Sequence, residues 1–303
     1  MGRRAKVNAK KRNRRIVTAS IVLTIIAVVV VLALVIEASQ NDPYANYIGQ
    51  PVSTSVMQQL TGVSDSTLKT IGLPSSVTPP TSISGSLLTS GGKPEVLYIG
   101  GEFCPYCAVE RWSIIVALSH FGTFSGVEYM QSSSTDVNPN TPTFTFVNAT
   151  FTSEYITFVP VEHWDRNTQT LVTYNSAESS IYNQYGTCPS NNQQGIPFVD
   201  IANQYVVNCG AQFALGQIAG DNWTTVASQL NSPGTTVAQE IDGAANSLIT
   251  AICKVDGAQP SSVCSQSYAA VTLAFVPPAG TSPGSQQMLS LLPQVREDHR
   301  WTG

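Results

Sequence analysis

Residues 95–107 read EVLYIGGEFCPYC and combine a short apolar run, two glycines and two cysteines. The run from Glu95 to Ile99 is rich in residues that favour β-strands and ends at two glycines, which predicts a buried strand. After Cys107, apolar residues recur at helical spacing as far as Phe121, where a glycine follows as a stop. The predicted order is therefore a strand, a turn that carries two cysteines, and a helix.

The two cysteines at this junction have the spacing of an exchange dithiol. Cys104 lies at the expected N-terminus of the helix, where unpaired amides favour a thiolate over a thiol. Cys107, one turn further along, is the expected resolving thiol that attacks the sulfur of Cys104 in a mixed disulfide. Pro105 restricts the turn, and Tyr106 is placed to contact a partner chain. The pattern predicts Cys104 as the nucleophile.

A Cys-x-x-Cys pair has two other uses. A closed zinc site needs four ligands, and the sequence has no second pair at this spacing and only isolated histidines, so we expect no metal. We also expect no cofactor, because the sequence has no phosphate loop and no haem-attachment motif. The second use is a permanent structural disulfide between Cys104 and Cys107, which would indicate a binding module rather than an enzyme.

All six cysteines follow residue 103, and an even number in an oxidising compartment favours disulfides. With the first two assigned to exchange, elimination leaves four cysteines for structural disulfides. Cys188 with Cys209 and Cys253 with Cys264 are the pairs we consider, and the sequence leaves the connectivity of the four open. Such pairs stabilise exported domains by constraining the unfolded chain. A second redox pair that relays electrons is the alternative role.

The N-terminal residues carry a membrane-topology signal. Eight of the 15 basic residues and no acidic residue lie in residues 1–15, and residues 16–36 are uncharged and mostly Val, Ile, Leu and Ala. About 20 apolar residues span a bilayer as a helix. We therefore predict a cytoplasmic basic tail at 1–15 and a single transmembrane helix at 16–36, with the rest of the chain outside the cell membrane. A cleaved signal peptide is the alternative, although its apolar core is usually shorter.

Beyond the basic tail the chain is acidic, with 7 basic against 19 acidic residues. A basic patch for anionic partners is not expected there, so nucleic acid is not a predicted partner. Charged residues are also sparse, and Ser, Thr, Asn and Gln supply the polar surface instead. This composition suggests a surface that stays hydrated when carboxylates are protonated, as in an acidic habitat.

Composition divides the exported part into three segments. Residues 37–93 are rich in Ser, Thr, Pro and Gly and predict a stalk, although a helical stretch near 52–71 is able to dock on the domain. Residues 94–275 form the predicted α/β domain, with a β-rich insertion at about 138–175 where apolar and polar residues alternate. Residues 276–303 are expected to be a flexible tail.

The second half of the domain carries three further signals. A helix is predicted at 177–185, and helical periodicity from 223 to 275 predicts C-terminal helices. Residues 195–207 predict two strands joined at Asn203, and an Ile196–Pro197 bond lies at the entry to this hairpin.

The strand, the Cys-Pro-Tyr-Cys dithiol and the following helix resemble the thioredoxin superfamily, with the dipeptide of the glutaredoxins. Ile196–Pro197 is similar to the cis-proline loop of that family, which packs against the dithiol and offers backbone groups to a bound peptide. The resemblance implies a substrate-binding loop made of Pro105, Tyr106, Ile196 and Pro197. More narrowly, residues 97–112 are similar to a family of membrane-anchored archaeal and bacterial proteins catalogued as a domain of unknown function.

The sequence departs from the thioredoxin pattern in two ways. The interval between Cys104 and Pro197 is longer, which implies the insertion. Tyr98 occupies the position of a buried acid six residues before the first cysteine. Glu102 and Glu110 are then the nearby carboxylates available to carry a proton during exchange. A solvated face, or a pair with Arg111, is the alternative role for either glutamate.

The expected fold is therefore an α/β, thioredoxin-like domain with a β-rich insertion and C-terminal helices, preceded by one transmembrane helix. The expected function is that of a membrane-anchored, extracytoplasmic thiol–disulfide oxidoreductase. Its expected partners are protein thiols or disulfides and a membrane redox partner. The alternative is a non-catalytic binding or assembly module with a permanent disulfide between Cys104 and Cys107.

Overall fold

The structure is a computed structural model that describes residues 17–31 and 42–266. The chain divides into two compact units, residues 1–48 and residues 49–303, and each is described by itself.

The smaller unit contains helix α1 over residues 17–31, whose side chains are exposed, and a 3-10 turn at Ala45–Tyr47. No helix within the described ranges is both long and apolar enough to cross a membrane. The remainder of the predicted span at 16–36 lies outside the described residues, as do the predicted basic tail at 1–15 and the predicted tail at 276–303.

The larger unit contains the remaining helices and all of the described strands. The helices are α2 (Thr54–Thr61), α3 (Asp65–Ile71), α4 (Pro105–Ser119), α5 (Ser176–Tyr185), α6 (Trp223–Gln229), α7 (Thr236–Val255) and α8 (Ser261–Cys264). The strands are β1 (Thr81–Ser82), β2 (Thr89–Ser90), β3 (Lys93–Gly101), β4 (Gly122–Ser125), β5 (Glu128–Gln131), β6 (Pro142–Thr145), β7 (Thr150–Ser153), β8 (Thr157–Trp164), β9 (Thr187–Cys188), β10 (Gln193–Gln194), β11 (Phe198–Ile201) and β12 (Tyr205–Val207).

A six-stranded mixed sheet lies at the centre, and β3 is its middle strand. β11 pairs with β3 antiparallel on one side, and β8 pairs with β3 parallel on the other. β12 and then β1 extend the sheet antiparallel beyond β11, and β2 pairs with the first residues of β3. β3 is buried from Val96 to Gly101, as its apolar sequence predicts for a strand covered on both faces.

Helices cover both faces of this sheet. α5 packs on one face, where two of its tyrosines and two residues of β3 belong to one buried apolar cluster. The members of the cluster are Ile83, Leu97, Ile99, Val161, Tyr182, Tyr185, Phe198 and Val206. α4 and α7 pack on the other face, against Val96, Val199 and Ile201. The mixed α/β class predicted from the sequence is therefore present, and the dithiol follows the middle strand of the sheet, β3.

Much of the predicted stalk is part of the packed domain. Ser53 and Ser64 cap α2 and α3 by accepting hydrogen bonds from backbone amides within the first turns. α2 contacts α4 and α6, and α3 contacts α7, with Leu60 and Leu68 fully buried. β1 and β2 also fall within the range 37–93 and belong to the central sheet. The Ser/Thr-rich composition here reflects helix capping and short strands.

The segment predicted as a β-rich insertion, about 138–175, contains strands of two kinds. β6 pairs with β5 and β7 pairs with β4, so these strands form small two-stranded sheets beside the core. β8 also falls in this segment, but it is a strand of the central sheet. The hairpin predicted at 195–207 is present as β11 and β12, with Ala202 and Asn203 in left-handed conformation at its turn.

Candidate functional site

Cys104 is the N-cap residue of α4, and its sulfur accepts a hydrogen bond from the backbone N–H of Cys107 over 3.4 Å. Pro105 occupies the first helical position, where its missing N–H removes no helical hydrogen bond. Both cysteines are free thiols. Their exposed fractions are 5% for Cys104 and 0% for Cys107, so only the first sulfur reaches the surface.

The two thiols differ in acidity because their surroundings differ. Hydrogen bonds from Cys107 and from the backbone at the start of α4 lower the pKa of Cys104, and the charge of Arg111 acts in the same direction. Burial raises the pKa of Cys107 well above its ordinary value, and the neighbouring Cys104 raises it further. The anion therefore forms first on Cys104, which suits a nucleophile followed by a resolving thiol.

The loop before β11 faces the dithiol. The bond between Ile196 and Pro197 is cis, and the carbonyl oxygen of Ile196 accepts from the sulfur of Cys104 at 4.0 Å. Gly195 precedes this bond, and its carbonyl oxygen accepts from the hydroxyl of Tyr182 over 3.2 Å. Tyr106 is 42% exposed, which leaves a large apolar ring at the surface beside the dithiol.

A buried ion pair lies beside the dithiol, and sequence reasoning did not identify it. Arg111 is fully buried and forms two hydrogen bonds to Glu162 of β8, Nε to Oε1 over 2.8 Å and Nη2 to Oε2 over 2.6 Å. Its guanidinium carbon lies 5.7 Å from the centre of the Tyr98 ring. The available signal was a lone arginine among apolar residues of α4, four residues after Cys107.

The two glutamates expected near the dithiol have other partners. Oε2 of Glu110 accepts from the backbone N–H of Gln212 over 3.0 Å, and burial raises the pKa of Glu110 to about 7. Burial also raises the pKa of Glu102, and a hydrogen bond with Thr145 acts against this increase. Arg111 pairs with neither of them but with Glu162. A proton-carrying role for Glu102 or Glu110 stays a prediction.

Two disulfides join Cys188 with Cys209 and Cys253 with Cys264, each with Cα atoms 5.4 Å apart, which settles the connectivity that the sequence left open. The first packs against the loop that faces the dithiol. A Cβ atom added at Gly195 would lie 2.4 Å from the sulfur of Cys188 and 3.0 Å from the Cα of Cys209. Glycine is therefore required at position 195 for this close approach.

The described residues contain one cluster with metal-ligand spacing, formed by Cys253, Asp256 and Cys264. Its two sulfurs are bonded to each other as a disulfide, so they are not available as thiolate ligands.

The fold and the site define a mixed α/β protein with a free cysteine pair at the N-terminus of a central helix and two further pairs joined as disulfides. Residues 79–254, more than half of the chain, match the family described as a domain of unknown function (DUF929), and the chain belongs to this family. The matched range includes the free pair, Ile196–Pro197 and the Cys188–Cys209 disulfide. No curated protein and no solved structure matches the chain.

Proposed function

We propose that this protein is a thiol–disulfide oxidoreductase of thioredoxin-like fold that acts on protein thiols or disulfides outside the cell membrane. One observation carries the proposal. The sulfur of Cys104 lies at the N-terminus of α4, accepts from the N–H of Cys107, and contacts the carbonyl oxygen of Ile196 in a cis-proline loop. This arrangement supplies a nucleophile, a resolving thiol and a backbone group for an extended substrate.

The exchange proceeds through a mixed disulfide. The Cys104 thiolate attacks one sulfur of a substrate disulfide, forms a bond to it, and releases the other substrate sulfur as a thiolate. Cys107 then loses its proton and attacks the sulfur of Cys104, which releases the second substrate thiolate. Two electrons pass from the dithiol to the substrate, and the reverse sequence oxidises a substrate dithiol.

The surface around Cys104 suits a peptide. A substrate segment that runs beside Ile196 is offered a carbonyl acceptor, and the exposed ring of Tyr106, two residues after Cys104, supplies an apolar contact. Pro197 keeps this loop from continuing the ladder of β11, because proline has no backbone N–H. Ile196, Pro197, Pro105 and Tyr106 are therefore the proposed substrate-binding residues.

The proposed location rests on the sequence and on the cysteines. Residues 16–36 form an uncharged apolar segment after a basic tail, which supports a single membrane anchor with its N-terminus in the cytoplasm. The disulfides Cys188–Cys209 and Cys253–Cys264 persist in an oxidising compartment, which supports a domain outside the membrane. A membrane redox partner is the proposed source or acceptor of electrons.

The test is a trapping experiment with the full chain. A Cys107→Ser variant should accumulate a mixed disulfide with a disulfide-bearing peptide, because the resolving thiol is missing. Cys104→Ser should form none. A Cys253→Ser/Cys264→Ser variant is the matched control, because it removes a disulfide and leaves the dithiol intact. Equal trapping by Cys107→Ser and Cys104→Ser, or no exchange by the wild type, would refute the proposal.

Burial of both cysteines favours a second candidate function. In this function a permanent Cys104–Cys107 disulfide forms, and the domain is a binding or assembly module. Alkylation of the wild type after mild reduction separates the two functions, because a permanent disulfide is opened only together with unfolding.

A further inference from the structure

A cation buried beside the dithiol bears on the direction of the proposed exchange. Arg111 follows Cys107 by four residues on α4, so the two side chains lie on the same helix face. Both residues are fully buried. A guanidinium stays charged even when buried, so this face of the helix carries a fixed positive charge next to the resolving sulfur.

The ion pair with Glu162 leaves one nitrogen of the Arg111 guanidinium without a hydrogen-bond acceptor among the described residues. Nε and Nη2 donate to Glu162, while Nη1 is buried without a hydrogen-bond partner among the described residues. Oε1 of Glu162 accepts in addition from the backbone N–H of Phe146 over 3.3 Å, so this carboxylate is shared between the arginine and the backbone that follows β6. An unpaired, buried N–H on a cation is an available donor for a nearby anion.

Glu162 supplies a formal counter-charge to Arg111, and the other ionisable groups considered beside the dithiol have pKa values raised by burial. β3 contributes Tyr98, whose burial raises its pKa well above 10 and keeps it neutral. α5 contributes Tyr182, whose pKa burial raises above its ordinary value. The turn before Cys104 contributes Glu102, whose pKa is also raised by burial, and β8 contributes Glu162 in the ion pair.

We infer that Arg111 is a positioning residue that stabilises the reduced dithiol, so that the Cys104–Cys107 disulfide accepts electrons and its substrates are protein dithiols. This inference rests on the proposed exchange function. A cation stabilises a thiolate and does little for a neutral disulfide, so it shifts the balance towards the reduced form. A disulfide whose reduced form is stabilised is a stronger oxidant.

The oxidation of a substrate dithiol proceeds in two thiol–disulfide exchange steps. A substrate thiolate attacks the sulfur of Cys104 in the disulfide, a bond forms between them, and Cys107 leaves as a thiolate beside Arg111. A second substrate thiolate then attacks the first substrate sulfur, which closes the substrate disulfide and releases the Cys104 thiolate. The protein gains two electrons. The two substrate protons pass to solvent or to the new thiols. A third protein that carries a disulfide reoxidises the dithiol by the same chemistry.

The test compares charge variants by their equilibrium with glutathione buffers and by the pH profile of Cys104 alkylation. Arg111→Met should lower the equilibrium constant for oxidation of glutathione at least tenfold and raise the pKa of Cys104. Arg111→Lys, which keeps the charge, should lie close to the wild type. Glu162→Gln should shift both quantities in the opposite direction from Arg111→Met. If Arg111→Met fails to fold, the Arg111→Met/Glu162→Gln variant, which lacks both charges of this ion pair, replaces it. Its equilibrium constant and the pKa of its Cys104 are then compared with those of Glu162→Gln.

Three results overturn the inference while the proposed function stands. These are a wild-type disulfide that is a weaker oxidant than glutathione disulfide, equal shifts in Arg111→Met and Arg111→Lys, and shifts of the same sign in Arg111→Met and Glu162→Gln. A wild-type dithiol that does not exchange with glutathione at all overturns both the inference and the proposed function.

Discussion

The hydroxyl of Tyr182 donates a hydrogen bond over 3.2 Å to the carbonyl oxygen of Gly195, the residue before Ile196. Ile196 in turn presents its carbonyl oxygen to the sulfur of Cys104. A tyrosine of α5, which packs on one face of the sheet, therefore positions the loop that contacts Cys104 at the N-terminus of α4, which packs on the other face. The geometry of the dithiol depends on this contact as well as on α4 itself.

Removal of the Tyr182 hydroxyl should weaken exchange more than it weakens the fold. Tyr182→Phe keeps the ring against Phe198, whose centre lies 5.2 Å away, and loses one hydrogen bond. We expect the free energy of unfolding to fall by about 1 kcal/mol. The rate of mixed-disulfide formation should fall severalfold, because the loop is no longer fixed at Gly195. Denaturant unfolding and stopped-flow exchange with a disulfide-bearing peptide measure the two effects.

Tyr185→Phe is the matched control for this change. Its hydroxyl accepts from the side chain of Gln184 and lies on the same helix, one turn further on. Exchange should proceed at the wild-type rate in this variant. Equal slowing by Tyr185→Phe and Tyr182→Phe would show that the effect is a general loosening of α5.

Loss of the Cys188–Cys209 disulfide should affect both stability and exchange. The sulfur of Cys188 packs against Gly195, so the disulfide supports the same loop from behind. Replacement of both cysteines by serine should lower the free energy of unfolding by about 2–4 kcal/mol. It should also slow the reaction of Cys104, which a comparison of exchange rates measures at a temperature where both proteins are folded.

The Cys253→Ser/Cys264→Ser variant is the control for that prediction. The disulfide that it removes joins cysteines 11 residues apart, instead of 21, and lies at the junction of α7 and α8. Its cost in stability should be similar, and its exchange rate should equal that of the wild type. If both disulfide variants slow exchange to the same extent, a support of the loop by Cys188–Cys209 is ruled out.

Local patterns predicted the part of the fold that surrounds the dithiol. The apolar run of β3, the helical spacing after Cys107 and the turn at Asn203 are each signals carried by a few adjacent residues, and the corresponding elements are present. Counting left four cysteines for disulfides, and the structure joins them as the pairs considered from the sequence, Cys188 with Cys209 and Cys253 with Cys264. The strand, helix and turn signals depend on sequence neighbours, so one sequence is sufficient to find them.

Features that depend on distant contacts were not predicted. The partner of Arg111 is Glu162, 51 residues away, in a strand that the alternating pattern placed in an insertion. A helical stretch near 52–71 that is able to dock on the domain was predicted, and α2 and α3 are present there. The surfaces that they cover, on α4, α6 and α7, were not predicted. The composition of a segment indicates its average polarity. It does not indicate which residues, distant in the sequence, the segment packs against.

The packing of α3 on α7 leads to a further prediction. Nδ2 of Asn246 donates to the carbonyl oxygens of Leu68 and Gly72, both over 2.8 Å, at the C-terminus of α3. Asn246→Ala leaves these carbonyls without their donor, so the free energy of unfolding should fall by about 2–3 kcal/mol. Denaturant unfolding measures the loss, and limited proteolysis should show earlier cleavage between residues 62 and 78.

Gln239→Ala serves as the control for Asn246→Ala, because Gln239 is an exposed residue of the same helix. A change of less than about 0.5 kcal/mol is expected there. A stalk that packs independently of the domain would give the opposite result, with Asn246→Ala as stable as the wild type.

Three fully buried carboxyl groups make the stability of the domain dependent on pH. Burial raises the pKa of Glu110 to about 7, that of Asp200 to about 7 and that of Asp242 to about 8. Neither side-chain oxygen of Asp242 has a hydrogen-bond partner among the described residues. In the unfolded chain these groups lose their protons near pH 4, so between pH 4 and about 8 the folded state binds more protons than the unfolded state.

The domain should therefore be more stable at pH 4 than at pH 8, because stability falls with pH wherever the folded state binds the additional protons. Asp242→Asn removes the largest of these contributions and keeps the shape of the side chain. We expect the variant to be more stable than the wild type at pH 8 and similar to it at pH 4. Denaturant unfolding at pH 4, 6 and 8 measures both. A wild-type stability that rises between pH 4 and 8, or an Asp242→Asn variant with the same pH dependence as the wild type, would contradict the prediction.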